Sequence, residues 1–352
     1  MEFKPDWEEA MRRFEAWWEG EILDRVCIQV TAPRAGAKPR SLPVPARLEE
    51  RWTNIEYVLD VAEERMRTTF YGGEAFPLYW PNLGPDVFAA YLGAELIFAE
   101  GTSWAKPLIE DWATAPPLRF DRENRWWKLT LQMTEAALER ALGRYFVGLT
   151  DLHGGLDALA ALRGQQNLCL DLIERPDKVK EAMAFLTPLW FTIYEEPHRL
   201  IQRKLRGSST WIGLWSPGKM YPVSCDFICL ISPSMGREFV LPDIVAEIEW
   251  LDHSIYHLDG PGALPHLDAL LEIPQLGGIQ WVPGAGSPPT REWVPLLKRI
   301  QAAGKNLHLG VAPQDIESLL EQISPRGVMF RTHCASEQEA RALLKQAERW
   351  AK

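Results

Sequence analysis

The stretch SIYHLDGPGALPHLDALLEIPQLGGIQWVPGAG, residues 254–286, holds an apolar segment, a Gly-Pro-Gly break, a helix-like segment and a second apolar segment. The apolar segments at 254–262 and 277–286 do not alternate in polarity, as strands covered on both faces do not. A helix is expected from about Ala263 between them. The same unit recurs along the second half. CDFICLISPS (225–234) precedes a helix near Met235, NLHLGVAP (306–313) one near Gln314, and GVMFRTHCAS (327–336) a final one. Upstream, STWIGLWSPG (209–218) and RYFVGLTDLHGG (144–155) read as strands, and 156–171 and 176–203 as helices. Repeated strand–loop–helix units predict a parallel sheet covered by helices. No glycine-rich dinucleotide fingerprint follows the first strand, ILDRVCIQVTAP (22–33), so the expectation is an α/β fold of the closed (β/α)8 TIM-barrel type. Residues 1–352 are read as one barrel domain. Residues 1–21 form an N-terminal helical extension, with Trp7, Met11, Phe14 and Trp18 at helical spacing.

In such a barrel the chemistry sits at the carboxyl ends of the strands. Trp80 and Asn82 end one segment, and Thr150, Asp151 and His153 another. Trp211 and Trp215, Cys225 and Asp226, His257 and Asp259, Trp281, His308, and Arg331 to Cys334 follow. Successive strand side chains point to opposite faces, so His257 and Asp259 point the same way. With Cys334 from the last strand they would supply three ligands of types zinc accepts, leaving one position open. Each residue has a plainer reading. His257 could be hydrogen-bonded to a neighbour, Asp259 could cap the following turn, and Cys334 could be a small buried side chain. Trp80, Trp215 and Trp281 read as pocket walls or as barrel packing. Arg331, if buried, needs a partner, either a protein carboxylate or one on a substrate.

The formal net charge of −10 argues against nucleic acid or an anionic membrane as the main partner. No segment reaches the roughly 20 apolar residues that cross a bilayer. The five Cys form no disulfide framework and no CxxC pair, so a reducing cytoplasm is the expected location. The aromatic helix WEEAMRRFEAWW suggests a surface for homodimer formation, and sixteen Trp are more than a dry core of this length needs.

Four segments carry a family resemblance: LDALAALRGQQNLCLDLIERPDKV (156–179), CDFICLISPSMGREFVLPDI (225–244), YHLDGPGALPHLDALLEI (256–273) and GIQWVPGAG (278–286). Together they resemble the uroporphyrinogen decarboxylase superfamily, including its cobalamin-linked zinc methyltransferases. The resemblance spans roughly residues 50–350, and ISPSMGREFVLP is its most specific part. It implies a (β/α)8 barrel. It also implies a zinc site in which His257 matches the family's histidine, Asp259 stands where a Cys would be, and Cys334 matches the last Cys. A carboxylate in place of a thiolate makes the metal a harder centre. The arginine-rich substrate loop of the decarboxylases has no counterpart in CIQVTAPRAGAKPRSLPVP (27–45), so tetrapyrrole decarboxylation is not expected. The resemblance implies a metal-dependent methyltransferase or demethylase acting with a thiol acceptor or the corrinoid of a partner protein. Asp226 and Asp151 would handle protons, and Trp80, Asn82, Trp215, Trp281, His308 and Arg331 would contact a small-molecule substrate. Two alternatives stay open: a glycosidase-like hydrolase using paired carboxylates, and a metal-free binder.

Overall fold

The computed structural model describes residues 1–350. Thirteen strands occur among them: β1 (Cys27–Pro33), β2 (Thr69–Gly73), β3 (Leu78–Tyr79), β4 (Glu95–Phe98), β5 (Ser103–Lys106), β6 (Phe146–Val147), β7 (Ser208–Ser209), β8 (Trp215–Ser216), β9 (Met220–Val223), β10 (His253–Asp259), β11 (Gly278–Val282), β12 (Asn306–Gly310) and β13 (Val328–His333). Seven form one sheet in the order β2-β1-β13-β12-β11-β10-β9. Every pair in it is parallel except β1 with β2. Helices Leu241–Trp250, Leu267–Leu271, Val294–Ala302 and Ile316–Leu320 connect the parallel strands from β9 to β13. The protein is therefore a mixed α/β fold with a mostly parallel central sheet. The remaining strands form short pairs: β3–β6 parallel, β4–β5 and β7–β8 antiparallel. Leu149 N–H donates to the Ser209 carbonyl and so ties the end of β6 to β7.

The two faces of the sheet have different partners. Tyr256, Leu258, Trp281, Leu309 and Phe330 face the covering helices in the larger core. Cys27, Met220, Ile255 and Met329 point the other way, into a second core closed by α1 (Trp7–Trp18). Helix α1 buries Trp7, Ala10, Met11, Phe14, Trp17 and Trp18, a stripe at helical spacing. Trp7 packs on Phe76 at 4.7 Å between ring centroids and on Trp215 at 5.9 Å. Cys27, Met220 and Met329 lie at the amino ends of their strands, so α1 plugs that end and leaves the carboxyl end open. The aromatic face offered above as a dimer surface is thus consumed inside the chain, because those rings have more apolar area to bury against the sheet than in water.

Three sequence expectations change. The helix expected over 156–171 is broken at Gly164, whose φ is +84°, into Gly155–Arg163 and Gln165–Glu174. Residues 225–234 are not a strand: Asp226–Leu230 is a 3-10 turn, and the strand is Met220–Val223. Pro222 concealed it. β9 lies at the end of the seven-stranded order, where a missing N–H is tolerated. Residues 209–218 split into β7 and β8 around a turn at Gly213, whose φ is +75°. No helix among the described residues is long and apolar enough to cross a membrane.

The entry into β1 is held by a buried ion pair. Arg25 donates from both terminal nitrogens to the Glu74 carboxylate, at 2.9 and 2.6 Å, and Glu74 also accepts the Ile28 N–H at 2.7 Å. Glu74 is fully buried and Arg25 nearly so. Removing one member strands the other charge in a dry site. Glu74→Ala is expected to cost about 3–5 kcal/mol, read as a lower urea midpoint.

Candidate functional site

The carboxyl ends of β9, β10 and β11 meet the 3-10 turn at Asp226–Leu230. His257 and Asp259 share one face of β10, as the period of two requires. Gly260 then takes a φ of +74° and gives its N–H to the Val282 carbonyl, which ends the strand and starts the turn Pro261–His266. Asp226 reaches the same place from the neighbouring loop. Asp226, His257 and Asp259 each place a potential ligand atom within 4.8 Å of the others. His257 Nδ1 lies 2.7 Å from Gln280 Oε1 on the adjacent strand. A carboxamide oxygen can only accept, so in the neutral ring this contact puts the proton on Nδ1 and leaves the Nε2 lone pair to face outward.

A second group, His153, Asp157 and Asp226, shares Asp226. Its other two members, His153 and Asp157, are already satisfied by the protein. His153 sits 3.3 Å from Asp151 on one nitrogen and 3.3 Å from Asp157 on the other. Burial disfavours its imidazolium, but the two carboxylates outweigh burial and raise its pKa well above the usual value. Asp157 accepts the backbone N–H groups of Asp226 and Phe227, both at 2.8 Å, and the Cys225 thiol at 3.6 Å. Burial opposes this carboxylate too, but His153 and the backbone donors hold its pKa below the ordinary range. Asp226 goes the opposite way: burial, then the Asp157 charge, push its pKa up. The donor group with unused lone pairs is therefore Asp226, His257 and Asp259.

The segment ISPSMGREFVLP positions Asp226 without touching it. Ser232 caps the short helix Pro233–Met235 by accepting the Met235 N–H. A Cβ on Gly236 would run into the imidazole of His266, whose Nε2 bonds the Ile231 carbonyl at 3.2 Å. A Cβ on Gly262 would stand 3.0 Å from Cys229. The loop bearing Asp226 and the turn after Asp259 thus interlock through close glycine contacts.

Across the inner face of the sheet runs a row of polar side chains. His257 pairs in register with Gln280, Gln280 with His308, and Gln29 with Arg331. His308 Nε2 lies 3.1 Å from Gln29 Oε1, and Gln29 donates to the Gly213 carbonyl. Burial, then Arg331 and His257, push the His308 pKa down to about 3. Beside this row is a cavity of about 370 Å³ lined by Gln29, Arg65, Trp80, Trp211 and Arg331, among others. The Trp211 ring meets His257 edge-on at 5.1 Å, which makes it a wall between the cavity and the donor group.

Trp80 and Arg331 therefore lie in the cavity, and Asp226, His257 and Asp259 come together. Asp151 stands back from them, paired with His153. Four other candidates lie elsewhere. Cys334 belongs to neither donor group. It follows Thr332 on the face opposite His333 and packs in the helix-side core, where burial raises its thiol pKa. Trp215 is fully buried against α1, with its N–H on the Arg206 carbonyl. Trp281 faces the helices and packs on Trp293 at 4.9 Å. Asn82 accepts the Gly84 N–H in its own turn. Alternation decides Trp281 and Cys334: each is an odd step from the residues that line the mouth on its strand. Asp157, Gln29, Gln280 and Arg65 were missed. Only Asp157 had a local signal, four residues after His153 on the helix starting at Gly155.

No family model and no curated protein matches the chain.

Two consequences can be measured. A histidine with a depressed folded pKa contributes stability that is complete above the unfolded value near 6.5 and is lost as pH falls toward 3. Between pH 7 and pH 5, His308→Gln should lose about 2 kcal/mol less than the parent, from urea midpoints at the two pH values. Gly236→Ala should destabilise by about 1–3 kcal/mol through the clash with His266, while the Gly260→Ala cost comes from its left-handed backbone alone. Pairing each with His266→Ala separates them, because only the Gly236 penalty should shrink.

Proposed function

We propose that the protein is a uroporphyrinogen-decarboxylase-like enzyme that transfers a methyl group, with a divalent metal held by Asp226, His257 and Asp259. The convergence of those three donors at the carboxyl ends of the strands carries the reading. One imidazole and two carboxylates suit zinc or another first-row divalent ion. A closed (β/α)8 barrel is part of the proposal. Phe146 N–H to the Pro77 carbonyl, Gly148 N–H to Tyr79 and Leu149 N–H to Ser209 link β3, β6 and β7 in a row that could bridge from β2 to β9.

When bound, the metal would supply Lewis-acid activation of a thiol acceptor or a methyl donor. The chain's own residues prepare the place. Gln280 fixes the ring of His257 and leaves Nε2 free. Asp157 anchors the Asp226 backbone, and His153 with Asp151 forms a charge-balanced support behind it. Trp211 and Trp80 supply apolar walls for a small substrate. A corrinoid, in this reading, arrives on a partner protein.

The hydrolase ranks second. Asp226 and Asp157 have pKa values pushed apart, as an acid and base pair requires. Both Asp157 oxygens, however, are committed to backbone N–H groups, which leaves them poorly placed to attack a substrate or activate water.

Elemental analysis of protein purified without added metal or chelator is the test. About one zinc per chain is expected, lost in His257→Ala and Asp259→Asn and retained in Cys334→Ala. Loss in Cys334→Ala would restore the thiolate to the ligand set. No metal in the parent protein, even after zinc is supplied, overturns the proposal and moves the hydrolase and the metal-free binder ahead. Methyl transfer itself is read as loss of methyl–cobalt absorbance from methylcobalamin with a thiol present, and it should fall with the metal.

A further inference from the structure

The cavity beside the donor group has an electrostatic character opposite to that of the whole chain. The protein carries a net charge of −10, yet no Asp or Glu lines this cavity, and two arginines do. Arg65 comes from the last turn of helix Ile55–Thr68, and Arg331 from β13. Most other arginines form ion pairs, among them Arg67 with Glu64, Arg140 with Glu63 and Arg25 with Glu74. Among the described residues, neither Arg65 nor Arg331 has a carboxylate within 4.0 Å, and neither guanidinium donates a hydrogen bond. Loss of water around Arg331, and then the charge of Arg65, lower its pKa. Both side chains keep exposed surface, so water now solvates two like charges that have no protein counterion, and an incoming carboxylate would replace that water with charge-assisted hydrogen bonds.

The rest of the lining narrows the ligand. Trp80, Trp211, Tyr71 and Phe76 present aromatic surface, and Thr31 and His333 present a hydroxyl and a ring nitrogen 3.0 Å apart. A volume of about 370 Å³ suits a ligand the size of a single substituted ring. Trp211 separates this space from His257, so a molecule seated here has its far end near the donor group.

We propose that this cavity binds a small carboxylate with an aromatic body, its carboxylate held by Arg65 and Arg331 and its ring against Trp80 and Trp211. The anion site stands on the two arginines and the cavity alone. That its occupant is the substrate rests on the proposed function. Guanidinium and carboxylate match as a two-pronged pair, which a phosphate would share without the ring contact.

The probe is benzoate, titrated into the full-length protein and followed by quenching of tryptophan fluorescence, with benzamide as the neutral isostere and inorganic phosphate as the ringless anion. Benzoate should saturate below about 10 mM, and benzamide should bind at least about tenfold more weakly. Arg331→Met should weaken benzoate at least about tenfold, and Arg65→Gln by several-fold. The same titration on His257→Ala keeps the two readings apart. Benzoate binding that survives there, with metal lost, supports the anion site independently of the metal. A protein without metal that still binds benzoate counts against the proposed function and not against this inference. Equal binding of benzoate and benzamide, phosphate binding as tight as benzoate, or benzoate binding unchanged in both arginine variants would overturn the proposal.

Discussion

A buried carboxylate must be matched by donors, and Asp157 is matched by four. Two backbone N–H groups, a thiol and an imidazole converge on its two oxygens. Hydrogen bonds to a charged acceptor are stronger than neutral ones, and leaving such a group unmatched would cost far more than any one of them contributes. The arrangement fixes the start of the turn at Asp226, and Asp226 is the member of the donor group that does not come from β10. Without this anchor the turn would be free to swing, and His257 and Asp259 would face solvent with no third partner. The glycine contacts at Gly236 and Gly262 then lock the same turn from the other side.

The inner face of the sheet divides its aromatic residues by end. At the amino ends of the strands, α1 and Trp215 make a dry, tightly packed plug. At the carboxyl ends, Trp80 and Trp211 stand beside polar side chains and an open volume. Between the two lies the row of Gln29, His308, Gln280 and His257. Each of these has a hydrogen-bond partner on a neighbouring element, which offsets most of the cost of burying the layer, and His308 Nδ1 is the one buried ring nitrogen of the row left without a partner among the described residues. The tryptophans on this face of the sheet thus have two roles, structural area below and ligand-facing area above, while others such as Trp281 and Trp293 pack in the helix-side core.

The alternation of parallel strands and helices was legible because an apolar run followed by a Gly/Pro break has few other solutions. The strand at Met220–Val223 was not, because Pro222 argues against a strand unless its edge position is known. Site residues divided in the same way. His257 and Asp259 were legible as a pair because the period of a strand is local geometry. Cys334 and Trp281 could be assigned to the right strand end but not to the right face, since a single odd step in register exchanges mouth for core, whereas Trp215 lies at the opposite end, in the plug under α1. The Arg65–Arg331 pair left no local trace, because its members are 266 positions apart in sequence.

What the sequence determined by itself was the α/β class, the helical stripe of α1, and the shared face of His257 and Asp259. These follow from backbone periodicity, which is a property of neighbours in the chain. Only the tertiary structure decided that Asp226 rather than Cys334 completes the donor group, that α1 plugs the sheet instead of meeting a second copy, and that two unpaired arginines share one cavity. Those depend on which side chains distant in sequence end up facing each other, which no local period records.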